Sequence, residues 1–346
     1  MARLTTTRLI LGFLVALLVG GGIGALHVTG RLPEVLGEIE GKTLDWRFRL
    51  RGPLPAPPEV AIIAIDDESL AELGRWPLPR ATLAEALDRL TDAGVRTVAL
   101  DLLLLEREPP SDGNTLSPGD QALRAARERH GNAVLAAALL FEGGTSPDRA
   151  LKQELASFAF RVVERPPSGA LTLPGARSLL LPIKPLREVA GLGHVNLLLQ
   201  QGQPRLLHPG IALDGLILPA FAVEAARRQL RLEPDEVELR LGGELVLGDR
   251  RRALDDALAL PLDFYGPAGT VRTFSLRELL AGRVPPGALA GRVVLVGATA
   301  LGVGDTFSTP FAQSLPGVEV LATAIANLVR DDGLSRPVGT VWWEAV

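Results

Sequence analysis

The chain has 346 residues, 47% of them apolar, with 36 Lys and Arg against 40 Asp and Glu and a net charge of -4. That is ample apolar material for one large or two ordinary domains, and mild acidity without any dense Lys/Arg run excludes a nucleic-acid surface. With no cysteine at all, disulfides, thiolate metal centres and cysteine nucleophiles are excluded too.

At the amino end, Arg3 and Arg8 precede Leu9–Val28, an uncharged apolar run of 20 residues. As a helix that run is long enough to cross a hydrocarbon core of roughly 30 Å. The basic residues before it predict a cytoplasmic terminus over residues 1–8, with the chain beyond residue 28 outside. A cleaved signal peptide is the rival reading, but the length of the run and the lack of a small-residue cleavage pattern before Arg31 favour an uncleaved anchor. Gly12, Ala16, Gly20 and Gly24 recur every four residues, a stripe that permits close packing of membrane helices and so a homodimer.

Residues 29–50 read as a stalk helix, with Leu32, Val35, Leu36 and Ile39 at helical spacing, and GPLPAPPE breaks it. Gly41-Lys42-Thr43 has the tail of a phosphate loop. The preceding glycine is Gly37, Leu36 occupies the required position, and Glu38 and Glu40 would repel phosphate, so the motif fails.

Val60–Ile65 is short, continuously apolar and branched, as suits a strand buried on both faces. Asp66, Asp67 and Glu68 follow as an acidic loop. Thr82 and Glu85 have capping-box spacing, and Leu83, Ala86, Leu87, Leu90 and Ala93 repeat at helical intervals before Gly94. Val95–Leu105 then carries Asp101 inside a second apolar run, predicting two parallel neighbouring strands joined by a crossover helix. The acids therefore lie at the carboxyl ends of strands, where open α/β sheets bind ligands.

Beyond the Pro/Gly/Ser loop EREPPSDGNTLSPGD, a helix is predicted over Asp120–His130 and a strand over Ala133–Phe141. Three strands separated by two helices indicate a doubly wound, mostly parallel sheet flanked by helices. An inserted β-rich part spans about 160–290. Within it, His194–Leu199 is expected to return through Gln201-Gly202-Gln203-Pro204 as a hairpin over Arg205–Leu213. A helix is expected over Ala220–Leu230, a hairpin about Gly242-Gly243, and a capping box at Ser275 and Glu278. Arg292–Val296 and Val318–Val329 supply a last strand and helix that rejoin the sheet, with the glycine-rich loop Gly297–Asp305 between them. Trp342 and Trp343 after Pro337 resemble an interfacial aromatic belt, so residues 338–346 are expected to start a further membrane helix.

Candidate chemistry is sparse. Asp66, Asp67, Glu68, Asp101 and Asp305 are hard oxygen donors that a divalent cation would accept, and Arg80 is the nearest cation for a phosphoryl-transfer site. The competing reading makes them structural, with Asp66 and Asp67 capping and Arg80 paired to Asp66 or Asp101. No G-x-S-x-G or HExxH motif is present, and His194, at the head of an apolar strand, reads as a satisfied core histidine. The Gly297–Asp305 glycines read as turn formers over an anion cradle.

Several stretches together resemble one family, the type-two CHASE domain, the cyclase and histidine-kinase associated sensory extracellular module. They are DWRFRLRG (Asp45–Gly52), IAIDDESLAELGRWPLPR (Ile63–Arg80), GVRTVALDLLL (Gly94–Leu104), GLGHVN (Gly191–Asn196), GRVVLVGATALGVGDTFSTPF (Gly291–Phe311) and LPGVEVLATAIANLV (Leu315–Val329). The resemblance covers nearly all of residues 40 to 337. It implies a non-enzymatic sensor domain over 51–337, anchored in the bacterial inner membrane, reading an unknown extracytoplasmic ligand or protein, and working through a cyclase or kinase outside this chain. No cofactor or resident metal is expected. The candidate ligand-binding residues are Asp66, Asp67, Arg80, Asp101, Asp305 and Glu319. Two positions depart from the family's pattern: Leu321 stands where histidine usually follows PGVEV, and Gln201-Gly202-Gln203 replaces the usual acidic turn. The rival functions are an extracytoplasmic metal-dependent phosphohydrolase working at Asp66 and Asp101, and a structural or assembly protein of the envelope.

Overall fold

The computed structural model describes residues 32–109, 116–165, 172–332 and 334. The apolar run at 9–28 with Gly12, Ala16, Gly20 and Gly24, and the pair Trp342 and Trp343, lie outside the described residues. Among the described residues, no helix is long and apolar enough to cross a membrane. The chain divides into two compact units after Gly52.

In the first unit, helix α1 (Leu32–Arg51) runs straight through Gly41-Lys42-Thr43. Those three residues are a helical turn, and no phosphate loop forms there. Gly52, with φ of +77°, closes the helix by donating its N–H to the Phe48 carbonyl at 3.0 Å, the left-handed glycine stop expected of a helix end.

The second unit is built on a seven-stranded sheet. Its strands are β1 (Val60–Ile65), β2 (Thr97–Asp101), β3 (Ala133–Leu140), β4 (Ser178–Leu180), β5 (Gly191–His194), β6 (Thr273–Ser275) and β7 (Val293–Ala298). In space the order is β6-β1-β7-β2-β3, all parallel. Strand β5 runs parallel to β3 over Val134–Ala137, and β4 runs antiparallel to it over Ala138–Leu140.

Strands β1 and β2 were expected side by side, and they are not. Strand β7 lies between them, pairing Val60 with Val293 on one edge and Gly297 with Asp101 on the other. Val293, Val294, Leu295 and Val296 are all buried. A run so uniformly apolar is most stable with ladders on both edges and helices on both faces, and only the middle of the sheet provides that.

One face of the sheet is covered by α2 (Asp67–Leu73), α3 (Arg80–Asp92), α4 (Pro118–His130) and a short helix after β6. Ala61, Ile63 and Ile65 of β1 join Leu83, Leu87, Leu90 and Leu123 in one apolar cluster on that side. The other face receives α5 (Phe221–Leu230) and the helix that follows β7. We label the helix after β6 α6 (Leu276–Leu280) and the last one α7 (Gly317–Arg330). Every residue from Gly317 to Val329 is buried, so α7 is a core helix, and its one polar stripe, Glu319, Thr323 and Asn327, is buried with hydrogen-bond partners.

Local signals decide several boundaries. Ser275 and Glu278 form the expected capping box of α6. Helix α3 starts at Arg80 with Pro79 as its N-cap, and no side chain caps it, so Thr82 sits inside the first turn and its capping box with Glu85 does not form. Ser117 caps α4 by accepting from the Asp120 N–H at 3.0 Å.

In the β-rich part, Val237–Arg240 and Glu244–Leu247 form the hairpin read at Gly242-Gly243. The hairpin expected from His194 to Leu213 is reduced to one bridge between Gln200 and Gln203. Leu206–Leu207 pairs with Leu260–Pro261 instead, and Gly210–Leu213 with Leu216–Pro219. Pro204 and Pro209 lack the N–H donors that a continuous ladder would need.

Strand β5 approaches α5 so closely that a Cβ on Gly193 would fall 2.4 Å from the Phe221 Cα and 2.6 Å from its N. Backbone atoms cannot yield as a side chain can. Gly193→Ala is therefore expected to destabilise the fold by about 3 kcal/mol or more. Gly175→Ala, with nothing within 4 Å, should stay within about 0.5 kcal/mol of the parent. Urea unfolding of both variants checks this.

Candidate functional site

The carboxyl edge of the parallel strands gathers most of the predicted residues, but it uses them in different ways. Asp66 is the N-cap of α2, and the acidic stretch is the start of that helix, where a loop was expected. Its Oδ1 accepts from the Ser69 N–H at 2.8 Å, the Ser69 hydroxyl at 2.6 Å and the Ser275 hydroxyl at 3.0 Å. That carboxylate ties β1 to β6. Asp67 accepts from the Leu301 N–H at 3.1 Å, holding the loop after β7, and Glu68 pairs with Arg277 of α6. Each acid fastens a different neighbour.

Arg80 pairs with neither Asp66 nor Asp101. Its Nε lies 3.5 Å from the buried Asp120, its Nη2 donates to the Glu106 carbonyl at 3.3 Å, and its backbone N–H donates to Glu108 at 2.9 Å. The Glu108 N–H in turn donates to Asp120. Arg80 thus pins the segment after β2 to the head of α4. Burial lowers its pKa, with Asp120 and Glu108 opposing.

Glu319 serves another segment. Both its oxygens accept from the Gly269 N–H, at 3.1 and 3.0 Å, and one also accepts from the Val271 N–H at 3.1 Å. Burial raises its pKa, and these N–H groups pull it back. It anchors the turn that leads into β6.

Asp101 and Asp305 are brought together. Asp101 ends β2, Asp305 lies in the loop after β7, and both line a cleft of about 520 Å³ at the sheet's carboxyl edge. Neither carboxylate makes a hydrogen bond or ion pair with a described residue. Burial, and then the charge of Asp305, push the Asp101 carboxyl up to about 7. Gly297, paired with Asp101 in the ladder, has no room for a Cβ, which would meet Val318 at 2.7 Å.

Most of the remaining wall is apolar or aromatic, including Trp76, Leu103, Phe307 and Leu321. Asn196, also on the wall, extends the β3 ladder with its side chain. Its Oδ1 accepts from the Leu139 N–H and its Nδ2 donates to the Leu139 carbonyl, both at 2.8 Å. In the second unit, the exposed large apolar residues among those described are Trp76, Leu103, Leu105, Leu199 and Leu301. All five lie on segments that follow the carboxyl ends of strands β1, β2, β5 and β7, and two of them, Trp76 and Leu103, line the cleft.

The glycine-rich loop after β7 is no anion cradle. Its Thr299 and Ala300 N–H groups donate to the Ile65 carbonyl, Leu301 to Asp67, and Val303 and Gly304 to the Ala300 carbonyl. Gly302, with φ of +75°, makes the turn. Among the described residues, no group of three or more His, Asp or Glu side chains could hold a metal ion. The cleft is lined, among the described residues, by no serine, threonine, lysine or histidine. His194 is buried, as read from the sequence, but neither ring nitrogen has a partner. Burial, reinforced by His208, holds it down to about 3.

Sequence reasoning missed Asn196, Trp76 and Leu321 as parts of this site. Trp76 carried a signal, a large aromatic directly before a proline and two residues after Gly74, at a strand's carboxyl side. Asn196 carried no signal beyond its place after an apolar strand and at the end of the GLGHVN stretch.

The CHASE2 domain family matches residues 15–346, nearly the whole chain, so the chain belongs to that family. CHASE2 domains are sensory, non-catalytic domains of signalling proteins and are typically extracytoplasmic. No curated protein and no solved structure matches the chain.

Between the ordinary carboxyl value of 3.8 and about 7, folded Asp101 holds a proton that the unfolded chain has lost. Its share of stability therefore falls as pH rises through that window. Asp101→Asn should flatten the pH dependence of unfolding there and be more stable than the parent at pH values above the window, as chemical denaturation can measure. Glu319→Ala should cost about 1–3 kcal/mol by leaving the Gly269 and Val271 N–H groups without their acceptor, read in the same assay.

Proposed function

We propose that this CHASE2 domain is the extracytoplasmic input domain of a membrane-anchored receptor, and that its stimulus, a ligand or protein partner, acts at the cleft holding Asp101 and Asp305. In this reading the apolar run at 9–28 is the inner-membrane anchor, paired in a homodimer through Gly12, Ala16, Gly20 and Gly24. The output is a cyclase or kinase outside this chain.

The cleft carries the reading. It is concave, largely apolar and of ligand size, and it presents two carboxylates that the fold does not use. The phosphohydrolase alternative gains nothing from the geometry, because Asp66 is occupied in capping α2 and Arg80 is turned to Asp120. Leu321 on the wall gives this copy an apolar surface at the position where the family's pattern has histidine, which favours a less polar ligand.

A stimulus transmits only its differential affinity for two states, so occupancy of the cleft must alter the stalk helix α1. The chain has no native cysteine, so single cysteines at Val35 or Ile39 report without background. In membranes, filling the cleft with Ala138→Phe is expected to change the rate of disulfide crosslinking at one or both positions severalfold. Identical rates in the filled and parent chains would sink the proposal.

A further inference from the structure

The opposite, amino edge of the sheet carries a second cavity, of about 390 Å³. It lies where strands begin: Glu59 precedes β1, Arg96 precedes β2, and Gly291 and Arg292 precede β7, while Gln229 of α5 and Arg250 also line it and the rest of the lining is apolar. Three arginines therefore face one acid.

The guanidinium groups of Arg96, Arg250 and Arg292 make no hydrogen bond or ion pair with any described residue. Elsewhere in the molecule Arg129, Arg187, Arg227 and Arg240 each hold a carboxylate. The Nη1 of Arg292 is buried and without a partner. Glu59, the acid on the wall, is engaged by Arg330 at 3.2 Å. Gln229 is also committed, accepting from the Thr97 hydroxyl and donating to the Gly291 carbonyl. Burial and the neighbouring Arg272 push the Arg292 pKa down, with Glu59 opposing.

Arg96 is exposed and Arg250 and Arg292 are half-buried, but the buried Arg292 Nη1 is a donor without an acceptor, which is costly unless something supplies one. We infer that this cavity is an anion site that takes a tetrahedral oxyanion, namely phosphate, a phosphate monoester or sulfate, held by Arg96, Arg250 and Arg292. A carboxylate offers two oxygens to one planar fork, whereas a tetrahedral dianion offers oxygens to several forks at once and comes nearer to neutralising them. The volume leaves room for a small organic group beside the anion. A free phosphorylated solute and an anionic lipid headgroup share this chemistry.

The test uses the full chain in detergent, with inorganic phosphate as the probe and chloride at equal ionic strength as the control. Phosphate is expected to raise the Tm saturably in the parent and to bind about tenfold more weakly, or worse, in Arg292→Gln and Arg96→Gln. Without phosphate, Arg292→Gln should unfold at or above the parent's Tm, because a half-buried charge beside Arg272 has been removed. A phosphate response no larger than that of chloride, or equal responses in parent and variants, overturns the site. If both variants fail to fold, Arg250→Gln and phosphorus NMR on the parent decide, and the absence of phosphate line broadening on the parent overturns it. Vesicles of phosphatidic acid, compared with phosphatidylcholine, distinguish the sources. Preferential binding that phosphate competes away assigns a headgroup, and no preference beside a positive phosphate response assigns a free solute. A preference that survives Arg292→Gln counts against the site.

Discussion

Strand β7 is the constraint on which the second unit depends. It lies between β1 and β2 with a parallel ladder on each edge, and its Val293–Val296 core has no other place to be buried from both faces. Because it is central, the loop that leaves it carries Asp305 over the end of β2, and the residues that enter it set Arg292 between Glu59 and Arg96. Both edges of the sheet acquire their chemistry from the two ends of one six-residue strand.

Charge is distributed accordingly. Most acids at the carboxyl edge act as fasteners: Asp66 joins β1 to β6, Asp67 holds the loop after β7, and Asp120 receives Arg80. Charge-assisted hydrogen bonds of this kind are short and directional, and they hold the neighbouring segments fixed. Asp101 has no such donors, and burial beside Asp305 raises its pKa instead. A group left in that state costs stability, and perturbed groups in clefts are commonly functional ones.

Much of the fold was legible. The branched run at β1, the capping box at Ser275, the hairpin at Gly242-Gly243 and the last strand and helix all follow from local periodicity and turn chemistry. The order of the strands did not follow, because a buried strand's composition says that it has two neighbours without saying which. For the same reason the sequence points Arg80 to Asp66 or Asp101, while its partners, Glu108 and Asp120, come from the two ends of the proline-rich loop after β2. The acidic stretch was read as a loop although Asp66 and Ser69 stand at N-cap spacing, since a helix as short as α2 leaves almost no periodic trace. Of the site, the carboxylates at strand ends were visible. Asn196 was not, because a side chain that replaces a backbone partner has no pattern in one dimension.

The position of β7 also bears on the order in which the molecule can assemble. Strands β1 and β2 leave the ribosome long before Val293, and until then each has an unpaired inner edge of apolar residues with nothing native to fill it. Such edges are templates for wrong pairing, and contacts this distant in sequence close slowly. A chain cut short before β7 would therefore be left with its sheet split in two, so the domain becomes a domain only once nearly all of it has been synthesised.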